Sequence, residues 1–359
     1  MKRILRDTYY KHLFRTLKQR LQSSQDIPSP LDNPPLSANL PAKYGLLQYS
    51  YFGREGCWVD EINIGDYVQS IAARQFLPRV DAVVERDAIA KYNGEKVRVI
   101  MNAWWHLFKG NAVPAEQIEP LYVSIHINNP QEIPPESIVH FKKHEPIGCR
   151  DYTTLRALKE HGVDVYYTGC LTLTLGKNYA VPPEKRTNTI YYVNFDKNIF
   201  VNLLKSKFTV LTSFFPRKVR KHLNDVIHTC VPDFNQCRHI YRDHSVPLSL
   251  SPEENFRLAD LYLRDYARAK LVLTSRIHCA LPCAGMGVPV ILMMNKPKDP
   301  RFDGIKELLN HMGVDTSGEV IQHFFMPPGS SNTLLAGSPS IPAIAESLAQ
   351  KCRDFIHAP

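Results

Sequence analysis

Two successive series of short apolar runs, alternating with helix-like segments, constrain this chain more than any other feature. In the first series Gly45–Phe52, Val97–Met101, Leu121–Ile127, Glu145–Cys149 and Val163–Tyr167 read as strands. Helices are expected over Asp66–Phe76 and over Tyr152–His161, the latter ended by Gly162. Pro182-Pro183-Glu184-Lys185-Arg186 interrupts the pattern, and it then restarts. Thr189–Asn194, Phe208–Thr212, Leu271–Thr274 and Val288–Met294 are the strands of the second series, with a helix over Arg217–His228 and a short one over His278–Met286. Ser251-Pro252-Glu253-Glu254 is a capping box with proline at the first helical position, and it opens a helix to about Ala269. Strands that alternate with helices argue for parallel, doubly wound sheets. Two such halves imply a cleft between them, lined by residues that follow strand ends.

The expected organisation is a basic amphipathic helix and proline-rich linker over residues 1–41, an α/β half over 42–181, a second over 182–326, and a linker with a last helix, near Ile341–Ile356, over 327–359. In the first segment Leu5, Tyr9, Leu13, Leu17 and Leu21 recur at helical spacing, and residues 1–40 hold seven Lys/Arg against three Asp. Such a helix can contact an anionic membrane surface or pack its stripe on the body of the protein. Five prolines within 26–41 read as an extended linker.

A net charge of +9 favours anionic partners, but the basic residues are dispersed and match no nucleic-acid-binding module. The eight cysteines are scattered without a CxxC pair, which reads as reduced core residues rather than a disulfide framework or zinc site, and no metal is expected. The N-terminus lacks the apolar core of a secretory signal, and the long uncharged run Ile277–Asn295 is broken by His278, two prolines and two glycines. A cytoplasmic protein is expected, with the inner face of the membrane as a candidate location.

Arg276 and His278 stand where a strand surfaces and a helix begins. A permanent cation at the edge of a core needs an anion or a hydrogen-bond network. Either Arg276 is braced by an internal carboxylate, or it serves a negatively charged ligand, which its planar fork and the helix N-terminus both favour. His278 beside it could move a proton or cap the helix. Arg150 occupies the matching place in the first half, followed by Asp151 as a plausible N-cap. Asn63, Gly65 and Asp66 form a loop entering the first helix, where Gly65 allows close backbone approach and the two polar side chains could bond hydroxyls. Asn102-Ala103-Trp104-Trp105-His106 follows another strand. The paired indoles suit stacking on a sugar, or lid and core packing, with Trp105 taken as the acceptor candidate, and His126 is a further cleft candidate.

The ordered set Asn63-Ile64-Gly65-Asp66, Cys149-Arg150-Asp151, and Ser275-Arg276-Ile277-His278 with Ala280 and Gly285-Met286-Gly287-Val288-Pro289 resembles the polysaccharide pyruvyl transferase family over roughly residues 45–295. The resemblance implies a GT-B-like α/β fold, with two Rossmann-like domains facing across a cleft. It also implies transfer of a pyruvyl group from phosphoenolpyruvate to two hydroxyls of a saccharide or lipid-linked saccharide, forming a ketal and releasing phosphate, as in exopolysaccharide biosynthesis. Arg150, Ser275, Arg276 and His278 would then hold the donor, Arg276 and His278 would act in catalysis, and Asn63, Gly65, Asp66, Trp105 and His126 would face the acceptor. Phosphoenolpyruvate is a co-substrate, so no cofactor is implied. Asn102-Ala103-Trp104-Trp105 stands where many members carry a glycine-rich loop, and Thr168-Gly169-Cys170 replaces an often acidic stretch. The rivals are a GT-B glycosyltransferase using a nucleotide sugar and a non-catalytic protein that binds anionic glycans or membrane.

Overall fold

A computed structural model describes residues 2–33, 42–49, 61–107, 111, 113–195, 217–294, 299–314, 319–328 and 333–358. The expected strand Phe208–Thr212 and the end of the first expected strand lie outside these residues. The class is mixed α/β with parallel sheets, as the alternation predicts. One sheet has four parallel strands in the order Ala82–Glu85, Tyr44–Gln48, Val97–Met101, Ile118–Tyr122. The other runs Arg238–Arg242, Thr189–Val193, Leu271–Thr274, Val290–Met294, His311–Val314, all parallel, and ends on the antiparallel strand Val320–His323. Central strands such as Leu271–Thr274 and Val290–Met294 are buried at every position, which explains their continuous apolar sequences.

The two halves are tied together rather than merely adjacent. A short antiparallel ladder pairs Ser245–Pro247 of the second half with Glu61–Asn63 of the first. The helix Ile64–Arg74 packs against the helices Pro252–Ala267 and Ile277–Gly285, and one hydrophobic core runs from Leu46 and Val99 through Phe256 to Leu281. Part of the contact is backbone on backbone. A methyl group on Gly176 would lie 2.1 Å from the Gly285 carbonyl oxygen, and one on Gly285 would lie 2.2 Å from the Leu173 carbonyl oxygen. Only glycine fits at either position.

The N-terminal helix Lys2–Gln22 and the residues after it lie on the body. Leu17 and Leu21 are buried in the common core, and Leu13 and Phe14 pack against it. Lys18 pairs with Glu254 and Arg20 with Asp265, while Arg257 donates to the carbonyls of Ser24, Gln25 and Ile27. Over its described side chains, the apolar stripe that offered a membrane contact is covered by the protein itself. The expected free linker is likewise held as far as residue 33, since Arg74 donates to the carbonyls of Pro30 and Asp32. No helix among the described residues is long and apolar enough to cross a membrane.

Candidate active site

A cavity of about 340 Å³ gathers side chains from both halves. The first half supplies Asn63, Gly65, Asp66, Trp104, His126, Asn128 and Arg150; the second supplies Ser275, Arg276, Ile277, His278, Arg301 and Phe302. Every candidate from the sequence except Trp105 lines it.

The strand Leu271–Thr274 ends in a fixed turn. Thr274 Oγ1 donates to the Val193 carbonyl and accepts from Arg276 N–H, and Ser275 Oγ donates to the Asn194 carbonyl at 2.8 Å. This turn delivers Arg276 and His278 to the start of the helix Ile277–Gly285. Arg276 Nη2 donates to Ser245 Oγ at 3.1 Å, on the ladder that joins the halves. Among the described residues no carboxylate lies within ion-pair distance of Arg276, so the internal brace is not formed. Its Nε–H is buried without an acceptor. Burial above all, with the neighbouring Arg301, pushes its pKa down against the opposite pull of Asp66, Asp243 and Glu61.

Arg150 is almost fully buried after the strand Ile147–Cys149, and its Nε–H also has no hydrogen-bond acceptor. Its Nη1 donates to His278 Nε2 at 3.1 Å. A guanidinium can only donate, so Nε2 of His278 carries a lone pair and the ring is neutral. Burial drives the His278 pKa well below its ordinary value, and the Arg150 charge drives it further. His278 sits against the mouth of the helix Ile64–Arg74, where a methyl on Gly65 would lie 3.0 Å from His278 Cβ. Asn63 caps that helix by accepting from Gly65 N–H, and Ile64 N–H donates to the His244 carbonyl of the second half.

On the opposite wall His126 Nδ1 meets Asp151 Oδ2 at 2.7 Å, both side chains buried. The other carboxylate oxygen, Oδ1, accepts from Thr154 N–H and caps the helix Tyr152–Glu160. Burial opposes charge on Asp151, but the His126 bond, the Arg150 charge and the Thr154 N–H outweigh it and hold the carboxyl below its ordinary pKa. Burial and Arg150 lower the His126 pKa, partly offset by Asp151.

Trp104, not Trp105, faces the cavity. The two are successive residues of a short strand paired with His126–Ile127, and successive side chains of a strand point to opposite faces. Trp105 is buried in the core. The Arg86 guanidinium lies 4.3 Å from the centre of the Trp104 ring and 4.7 Å from that of Tyr49, backing the indole. Trp104 Nε1 donates to Asp66 Oδ2 at 3.5 Å, and Asp66 also accepts from Gln69 and Asn63.

The chemistry is set by an excess of positive charge. Arg150, Arg276 and Arg301 surround the cavity against Asp66, with Arg301 forked onto Asp299. Two buried, unsatisfied guanidinium N–H groups and two neutral imidazoles suit a small polyanion and a proton transfer.

Residues 123–297 match the polysaccharide pyruvyl transferase family. The pyruvyl transferase match covers just under half of the chain and contains His126, Arg150, Asp151, Ser275, Arg276 and His278. Asn63, Gly65, Asp66 and Trp104 precede the matched stretch and Arg301 follows it. No curated protein was found to match the chain. Sequence reasoning chose Trp105 over its neighbour Trp104 and missed Asn128, Arg301, Phe302 and the second bond of Asp151. Arg301 stands seven residues past the strand Val290–Met294, on the short helical turn Pro300–Phe302, whereas Arg276 stands two past its own strand, so no strand-end rule marks it.

Proposed function

We propose that the protein transfers a pyruvyl group from phosphoenolpyruvate to two hydroxyls of a saccharide or lipid-linked saccharide, giving a cyclic ketal and free phosphate. The two α/β halves then act as Rossmann-like domains of a GT-B-like enzyme, working in the cytoplasm where its donor is available. The observation that carries this reading is the convergence of Arg150 and Arg276, one from each half, each with a buried N–H lacking an acceptor. Phosphoenolpyruvate carries a carboxylate and a phosphate, one for each guanidinium.

In this reading the arginines hold the donor, and its negative charge offsets the field that keeps His278 neutral. The imidazole then takes a proton and can give it to the donor's methylene carbon, making the adjacent carbon electrophilic. Arg276 stabilises charge on the departing phosphate. Ser275 shapes the donor end, while Asn63, Gly65, Asp66 and Trp104 form the acceptor end, with the indole as a platform for a sugar ring.

The test is a phosphate-release screen with phosphoenolpyruvate and a panel of galactosides, mannosides and glucosides, with product mass read in parallel. A product heavier by one pyruvic acid less one water is expected. Binding of a nucleotide sugar but not of phosphoenolpyruvate in calorimetry would overturn the reading in favour of a glycosyltransferase.

A further inference from the structure

We propose that Asp151 and His126 form a catalytic dyad in which His126 is the base that takes the proton of the acceptor hydroxyl as it attacks the donor. The proposal rests on the pyruvyl-transfer reading and assigns the base within it.

The geometry is that of a ring held by a carboxylate. Asp151 is fully buried and His126 nearly so, and the 2.7 Å contact joins Oδ2 to Nδ1. Asp151 is itself immobilised, because its other oxygen accepts from Thr154 N–H in the first turn of a helix, and Arg150 Nε lies 3.7 Å away. An ionised carboxylate only accepts, so Nδ1 carries the ring proton and Nε2 keeps its lone pair. His126 lines the cavity, on a short strand paired residue for residue with the one carrying Trp104, the wall assigned to the sugar. Without a ligand the Nε2 lone pair of His278 accepts from Arg150, and once donor binding has protonated that ring it serves as the acid, so the first hydroxyl proton falls to His126. Two buried histidines therefore carry opposite second partners, a carboxylate for His126 and a guanidinium for His278.

Atoms and protons balance. As the methylene carbon of phosphoenolpyruvate gains a proton from His278, the first hydroxyl oxygen bonds to the neighbouring carbon and gives its proton to His126. The carbon–oxygen bond to phosphate then breaks, and His126 returns that proton to the leaving phosphate. The second hydroxyl closes the ketal, and its proton restores His278. No oxidant or reductant is needed.

Two variants and one spectroscopic measurement test the dyad. Asp151→Ser keeps a helix-capping oxygen but removes the carboxylate, and His126→Gln removes the base. Each should lower turnover at saturating substrates by about 10²–10³, within the usual range for a general base, while the donor KM stays within about threefold. In Asp151→Ser the acid limb of the pH–rate profile should also move to lower pH, because the imidazolium loses its counter-charge; a helix cap alone would not move it. Turnover within about threefold of the parent in both variants, with an unmoved profile, would overturn the proposal. Nitrogen NMR of histidine-labelled protein reads the dyad without any turnover: His126 should hold its proton on Nδ1 and lose that preference in Asp151→Ser. A proton on Nε2 in the parent protein would overturn the dyad. If the parent releases no phosphate with any acceptor, the pyruvyl-transfer reading fails, and the NMR result still decides whether the pair exists.

Discussion

Arg150 Nη1 donates to His278 Nε2 at 3.1 Å, and the two residues follow strands of different halves of the molecule. The contact fixes the protonation of the imidazole before any ligand arrives. An anionic donor that draws off the Arg150 charge should raise the His278 pKa, so phosphoenolpyruvate binding near neutral pH should take up protons. Calorimetry in two buffers of different ionisation heat measures that number, and zero would show that His278 stays neutral. His278→Ala should cut turnover by about 10²–10⁴.

Arg276→Lys keeps the charge but loses the planar fork and the bond to Ser245. The donor KM should rise by at least about tenfold, a loss of one charge-assisted hydrogen bond of about 1.5–3 kcal/mol. Initial-rate kinetics against phosphoenolpyruvate checks this, and an unchanged KM would remove Arg276 from the donor site.

Stability should depend on pH in two separate windows. His126 and His278 have folded-state pKa values below the ordinary 6.5, so the unfolded chain takes up protons first as pH falls past that value. Their contribution is intact above about pH 6.5 and is lost progressively below it. Asp151 is held below its ordinary 3.8, so its contribution is full above about that value and is lost as pH falls from there through the lowered folded pKa. Urea midpoints measured across both windows should show the first loss shrink in His278→Gln.

The two tight glycines should separate stability from activity. Gly285→Ala forces a methyl against the Leu173 backbone, which cannot swing aside, and should destabilise the protein by about 1–3 kcal/mol or more in denaturant unfolding. Gly65→Ala meets the His278 side chain instead, at 3.0 Å. A small shift relieves it, so turnover should fall with little change in the unfolding midpoint.

Leu17 distinguishes the two uses of the N-terminal helix. It is buried against the body, so Leu17→Ala should cost about 2–5 kcal/mol, as truncation of a core leucine does. Its effect on sedimentation with anionic vesicles should be negligible; a large loss of vesicle binding with unchanged stability would restore the membrane role.

Much of this architecture was legible because buried parallel strands need continuous apolar runs. Val97–Met101 and Leu271–Thr274 form over the residues that the sequence marks. Arg238–Arg242 was not legible, since an edge strand written Arg-His-Ile-Tyr-Arg has neither an apolar run nor clean alternation. The ladder between Glu61–Asn63 and Ser245–Pro247 depends on how the halves meet, which no local pattern encodes. In the site, Arg150, Arg276 and His278 stood out because charge at a strand end is anomalous. Asp151 hid its second bond behind an ordinary capping role, since the contact to His126 spans residues brought together only by the fold. Between Trp104 and Trp105 the choice turned on the phase of a two-residue strand, too short for its pattern to set.

The backbone contact between Gly176 and Gly285 has a consequence for selectivity. With the halves pinned there, the cavity is a preset mould, and the conformational entropy of assembling it is lost during folding rather than on ligand capture. Discrimination between ligands then rests on misfit: a wrong guest leaves a guanidinium N–H still unpaired in a wall that cannot move to meet it.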